Sequence, residues 1–115
     1  MIEKLGITPC PWEVRIFMYS WSVYGEDCLI AGAKKEGHTL TQTHNRQDSD
    51  ARLIAAAPEM LEALIYSIIL IEDITKEISD GRVNIEKYEH YQSKIKAVEK
   101  ATGRTWDDVK ELIDE

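Results

Sequence analysis

Over residues 59–79 the apolar side chains return at intervals of three and four. Leu61, Leu64, Ile68, Ile71 and Ile78 mark one stripe, which is the spacing of a single α-helical face. Ile65, Ile69 and Ile74 widen that surface well beyond one stripe, so a helix here has to be covered on several sides. Two covers are open: the rest of the same chain, as for a central helix, or a subunit interface. The longest apolar stretch surrounds residues 63–71, broken by Ser67, and is shorter than the roughly 20 residues of a membrane-spanning helix. No transmembrane segment is therefore expected.

The first half of the chain keeps a different period. Thr8-Pro9-Cys10-Pro11 excludes a helix, because each proline drives its predecessor toward extended backbone. Trp12, Val14, Ile16 and Met18 then alternate with Glu13, Arg15, Phe17 and Tyr19, a two-residue repeat that predicts a strand running to about Tyr24. Gly25-Glu26-Asp27 signals a turn, residues 28–33 a short buried strand, Lys34-Lys35-Glu36-Gly37 a second turn, and residues 38–43 a third, more exposed strand.

Asp48 or Ser49 is placed to cap the following helix, and Pro58, which lacks an N–H, predicts a break before a second one. Asp80-Gly81 predicts the end of the long helix and Asn84 the start of the next, connected closely enough to run antiparallel. Ile85, Tyr88, Tyr91, Ile95 and Val98 give that helix one apolar stripe. Gly103 ends it, and Thr105 with Asp108 resembles a capping box opening a last helix that turns Trp106, Val109 and Ile113 inward.

The expected fold is α+β. An N-terminal three-stranded antiparallel meander, over about 12–43, packs on a C-terminal helical hairpin with a short last helix, over about 49–114. At 115 residues, two independent cores would each be too small, so one domain is expected.

Charge and cysteine content narrow the function classes. The net charge is −7, and residues 48–115 hold the whole excess, with 9 basic and 16 acidic side chains against 5 and 5 in residues 1–47. A surface of that sign repels phosphates at long range and disfavours nucleic acid as a partner. It suits solubility or a basic protein partner. The first residues, Met1-Ile2-Glu3-Lys4-Leu5, carry neither the basic start nor the apolar core of a secretion signal. The expected location is the cytoplasm, where Cys10 and Cys28 stay reduced.

Two segments resemble a group of small phage and prophage proteins of unknown function. Thr8-Pro9-Cys10-Pro11-Trp12-Glu13-Val14 is similar to that group's Thr-Pro-x-Pro-Trp opening. Asp50-Ala51-Arg52-Leu53-Ile54-Ala55-Ala56-Ala57-Pro58-Glu59-Met60-Leu61-Glu62-Ala63-Leu64 resembles its Asn-Ala-x-Leu-Ile-Ala-Ala-Ala-Pro-x-Leu-Leu-Glu-Ala-Leu signature, in the same order. Asp50 and Met60 depart from the pattern without disturbing a helix. The resemblance implies a phage accessory protein of the host cytoplasm that works by binding, against a host defence protein or a nucleotide second messenger. It brings no catalytic residue and no cofactor.

Several chemistries can be weighed on the residues themselves. Cys10, Cys28, His38 and His44 lack the spacing that anchors a metal, so no metal site is assigned. Glu59-x-x-Glu62 and Glu86-x-x-Glu89 resemble the carboxylate pairs with which helical nucleotide pyrophosphatases hold magnesium, the basis of an alternative reading as a metal-dependent nucleotide hydrolase. At the starts of antiparallel helices the pairs would lie about 30 Å apart, and acids at helix starts are favoured by the helix dipole alone. A structural or assembly module is a further alternative.

The aromatic segment carries the sharper candidate. Trp12, Phe17, Tyr19, Trp21 and Tyr24 place five of the chain's nine aromatic rings within thirteen positions. With Arg15 between them and Arg46, Lys34 or Lys35 nearby, they could stack a base and clamp a phosphate. The candidate ligand-binding residues are thus Trp12, Arg15, Tyr19, Trp21 and Arg46, with strand core and cross-strand pairing as the alternative. A homo-oligomer is expected from the isoleucine-rich helix.

Overall fold

The computed structural model describes residues 1–26, 28–34, 42–79 and 88–114, by backbone alone at 42–46 and 79. A 3₁₀ turn at Ile2–Leu5 is followed by strands β1 (Glu13–Ile16), β2 (Ser20–Tyr24) and β3 (Leu29–Lys34). Helices α1 (Gln42–Ser79), α2 (Glu89–Thr102) and α3 (Trp106–Asp114) come next. The architecture is α+β, an antiparallel sheet in the order β1-β2-β3 and then three helices.

The sheet comes from a shorter stretch than the alternation predicts. Residues 12–24 form two strands, because the chain reverses at Met18-Tyr19, where the Phe17 N–H donates to the Ser20 carbonyl at 2.8 Å. A two-residue hairpin loop shifts the alternation by one residue, so the inner set passes from Val14 and Ile16 to Trp21 and Val23. With no Gly, Asn or Pro at its corner, the loop carries no turn residue to mark that shift. The second turn lies where Gly25 signals it, closed by the Gly25 N–H on the Cys28 carbonyl at 3.0 Å. A Cβ on the buried Gly25 would come within 2.6 Å of Thr8 Cγ2 and 3.1 Å of Ile30 Cδ1, so glycine serves close approach here. Of the strand expected at 38–43, residues 38–41 lie outside the described residues, and Gln42 and Thr43 are helical.

Helix α1 corrects two further expectations. It begins at Gln42, so Asp48 and Ser49 lie inside it and do not cap it, since a polar run without Gly or Pro can be helical. It also continues through Pro58, where a break was expected. Proline within a helix removes one bond and costs about 3 kcal/mol. Here its ring is fully buried on the same stripe as Ala51, Ala55, Leu61, Ile65 and Ile68, and this burial offsets the loss. The caps expected at Asp80-Gly81 and Asn84, and Ile85, lie outside the described residues.

By length and composition, α1 over residues 47–78 is long and apolar enough to cross a membrane, contrary to expectation. Scattered acids such as Glu59 and Glu62 interrupt the run without lowering its average enough to exclude it.

The described chain falls into two compact units. One comprises residues 6–59 with Ile2, the other residues 60–115 with Met1 and residues 3–5, and α1 contributes to both. In the first, Val23, Ala51, Ala55 and Pro58 are buried. In the second, Leu5, Leu61, Ile65, Ile68, Tyr91, Val98, Trp106 and Val109 are buried.

The corner between α2 and α3 follows the sequence closely. Gly103 has the left-handed φ of 69° that a side chain would resist, and its N–H reaches the Glu99 carbonyl at 2.8 Å. Thr105 Oγ1 accepts from the Asp108 N–H at 3.2 Å, and Glu99 Oε2 accepts from the Trp106 N–H at 2.9 Å. Two of the unpaired donors at the start of α3 are thereby satisfied.

Candidate binding surface

The strand register divides the aromatic candidates between the two faces of the sheet. Glu13 pairs with Tyr24, Val14 with Val23, Arg15 with Ser22 and Ile16 with Trp21. Ser22 in turn pairs with Gly32 and Trp21 with Ala33. Paired residues share a face, so Glu13, Arg15, Ser22, Tyr24 and Gly32 form one side, and Val14, Ile16, Trp21, Val23 and Ala33 the other.

Val23, fully buried, marks the second side as inner. Trp21 belongs to it. Trp12, half-buried, donates its indole N–H to the Thr8 carbonyl at 3.0 Å. It lines a shallow depression of about 340 Å³ with Arg52, Ala55, Ala56 and Glu59 of α1. Trp12 is thus placed by structural contacts, and Trp21 by the face it shares with Val23.

Arg15 stands on the outer face, its guanidinium 4.5 Å from the centroid of the Tyr24 ring and 3.9 Å from the Glu13 carboxylate. That is cation–π packing across two strands with a long, exposed ion pair beside it, each a small contribution at the surface. Tyr19 sits at the tip of the β1–β2 hairpin beside Phe17 and Met18, and all three are more than half exposed. Arg46 lies in α1, with its side chain outside the described atoms. The five candidates therefore separate: Arg15 on the outer face, Tyr19 at the hairpin tip, Trp12 and Trp21 turned inward.

The carboxylates and thiols of the other readings are scattered. Glu59 is exposed and Glu62 half-buried on α1, Glu89 is exposed at the start of α2, and Glu86 lies outside the described residues. Cys10 is half-buried and Cys28 exposed, both as free thiols. His38 and the His44 side chain lie outside the description. Among the described residues, no group of three His, Cys, Asp or Glu side chains could hold a metal ion. The Met1 ammonium, 2.9 Å from Glu3 Oε2, holds that exposed carboxyl below its ordinary range.

Sequence reasoning passed over one polar cluster. Glu72 of α1, half-buried, accepts from the Trp106 indole N–H at 2.7 Å and the Tyr91 hydroxyl at 2.9 Å on Oε1, and meets Lys110 Nζ at 3.3 Å on Oε2. One carboxylate thus gathers donors from α2 and α3. In sequence, Glu72-Asp73 reads as an ordinary acidic pair near a helix end. Beside the cluster, Gln92, Glu99, Asp107 and Lys110 help to line a cavity of about 230 Å³.

The sequence model of the Salmonella phage P22 protein Y8K6 family matches residues 1–105. The chain belongs to that family. The match spans the sheet, α1 and α2, so this phage family includes the whole candidate surface. No curated protein and no solved structure matches the chain.

Proposed function

We propose that this member of the phage family is an accessory protein of the infected cell's cytoplasm that acts by binding, in counter-defence, by blocking a host protein. The observation that carries the reading is the hairpin tip, where Phe17, Met18 and Tyr19 present three large apolar side chains to solvent in a row. On the outer face of the same hairpin the exposed Arg15 packs over the Tyr24 ring. Aromatic, Met and Arg side chains are enriched at the centres of protein interfaces. A tight two-residue loop, closed by the Phe17 N–H on the Ser20 carbonyl, presents them with little ordering cost.

A nucleotide signal is the second target class, and Arg15 over Tyr24 is the feature that favours it, since a ring and a guanidinium side by side can hold a base and a phosphate. Two points weigh toward protein. Glu13 stands 3.9 Å from the guanidinium and opposes an incoming phosphate, and Trp12 and Trp21, the larger stacking rings, belong elsewhere.

The test is affinity capture from infected host lysate with wild type and with the Phe17→Ser/Tyr19→Ser variant in parallel, alongside melting of the pure protein against linear and cyclic nucleotides. A host protein enriched by wild type, lost with the variant and inhibited when purified supports the reading. A melting rise with a nucleotide, abolished by Arg15→Ala, transfers the function to the signal. Magnesium-dependent nucleotide turnover lost in Glu62→Gln would return the hydrolase alternative.

A further inference from the structure

Helix α1 carries two apolar faces, and the second is open. The buried residues Ala51, Ala55, Pro58, Leu61, Ile65 and Ile68 follow one stripe. Leu53, Ala57, Met60, Leu64, Ser67, Ile71, Ile74 and Ile78 follow another, at successive spacings of four and three across the whole series. None of these eight residues is buried. A strict four-three alternation is the seam of one helix packed lengthwise on another, because its mean period of 3.5 keeps every member facing the same neighbour.

We infer that this seam pairs with the same seam of a second copy of the chain, with the two α1 helices antiparallel about a two-fold axis near residues 65–66. Side-chain size argues for that occupant and direction. The seam alternates large and small over its first half, with Leu53, Ala57, Met60 and Leu64 and the flanking Ala56 and Ala63. It is bulky toward its end, with Leu70, Ile71, Ile74 and Ile78. An antiparallel copy sets Ala57 against Ile74 and Leu64 against Ser67, where large meets small, and Leu53 against Ile78 and Met60 against Ile71, where two large side chains share a layer. A parallel copy would stack Ala57 on Ala57 and Ile78 on Ile78, leaving a gap at one end and crowding at the other. A two-fold pairing is also self-closing and stops at the dimer.

The exposed area is of the right size. On the seam, Leu53 at 57%, Met60 at 53%, Ile74 at 44% and Ile78 at 81% exposure, with Leu70 at 58% flanking it, each leave roughly 100 Å² of apolar surface open, about 500 Å² together. The alanines and the half-exposed Leu64 and Ile71 bring the face toward the ~800 Å² that each partner buries in a stable interface.

A bilayer fits less well, although the helix is long enough for one. The opposite side of α1 is committed to its own chain, and Glu72 on it is bound to Tyr91, Trp106 and Lys110. Inserting α1 would strip these donors from Glu72 or draw α2 and α3 into lipid with it. A helix lying on the surface of anionic lipid needs a basic polar face, whereas this chain has a net charge of −7. The pairing is independent of what the sheet binds.

Sedimentation of the full chain over a range of concentrations, with far-UV circular dichroism, tests the pairing. Wild type is expected to sediment as a dimer, and Met60→Lys/Ile74→Lys, both at exposed positions, as a folded monomer with self-association weakened at least 30-fold. Tyr66→Lys, equally exposed but off the seam, is expected to remain dimeric. Should the lysine pair lose helicity, Met60→Ser/Ile74→Ser with unchanged helicity takes its place. Direction is read by paired nitroxide labels in a chain carrying Cys10→Ser and Cys28→Ser. Labels at Ser67→Cys should lie within about 15 Å of each other and labels at Leu53→Cys close to 40 Å apart, where a parallel pair would give short distances at both. A monomeric wild type, a dimer that survives the lysines, short distances at both sites, or co-sedimentation with phosphatidylcholine–phosphatidylglycerol vesicles that the lysines abolish would each overturn the inference.

Discussion

Replacing Glu72 with alanine removes one acceptor from three donors at once, and the structure sets the expected scale. The Trp106 indole N–H and the Tyr91 hydroxyl, at 2.7 and 2.9 Å, belong to buried residues. An indole N–H can only donate, so losing the carboxylate leaves it unpaired unless water enters. A stranded buried donor costs about 1–3 kcal/mol. Lys110 adds little, because its side chain is 37% exposed and the pair at 3.3 Å is screened. Water entering from the adjoining cavity recovers part of the loss, which leaves an expected destabilisation of about 3 kcal/mol. For a chain of this size that corresponds to a Tm about 12 °C lower. Glu72→Gln keeps a carbonyl oxygen for the indole and the hydroxyl and loses only the charge, so about 1 kcal/mol is expected. The assay is urea denaturation followed by tryptophan fluorescence, at one fixed protein concentration and with the slope unchanged. Tyr91→Phe alone and combined with Glu72→Ala completes a cycle in which the two losses should fall short of additive by more than ~0.5 kcal/mol. A Glu72→Ala protein within about 0.5 kcal/mol of wild type, or full additivity with Tyr91→Phe, would refute the reasoning.

Two local substitutions test the fold at positions where the cause is specific. Gly25→Ala places a methyl 2.6 Å from Thr8 Cγ2 and 3.1 Å from Ile30 Cδ1, with an expected loss of about 1–2 kcal/mol in chemical denaturation; an unchanged midpoint would show that the turn yields freely. Thr105→Ala removes the oxygen that caps α3 through the Asp108 N–H and should cost about 1 kcal/mol. Thr105→Ser should restore most of it, and equal losses in both variants would mean that the cap contributes nothing.

Local chemistry made part of this fold legible in advance. Gly103, Thr105 and Asp108 marked the α2–α3 corner correctly, because a left-handed cap and an N-terminal acceptor need particular residues at fixed offsets. Gly25 and the apolar run after it gave β3 to within a residue, and a three-stranded antiparallel sheet is present among the described residues, as expected. Residues 12–24 read as a single strand because the hairpin corner at Met18-Tyr19 carries no turn residue, although it shifts the inner set from Val14 and Ile16 to Trp21 and Val23. Pro58 reads as a break in the sequence because local propensity counts the lost backbone bond and not the burial of the ring.

The candidate site divides in the same way. That five rings and an arginine crowd into thirteen positions, that α1 has too much isoleucine for one face, and that the acid excess lies in the second half were all fixed by residue order. Register alone decided that Trp21 turns inward while Arg15 meets Tyr24 outside, since a single residue's shift in pairing exchanges the faces. Chain folding alone gave Glu72 its partners, at separations of 19, 34 and 38 residues. Periodicity reports which side of an element is apolar, but the neighbour that meets each side depends on contacts between residues far apart in the chain.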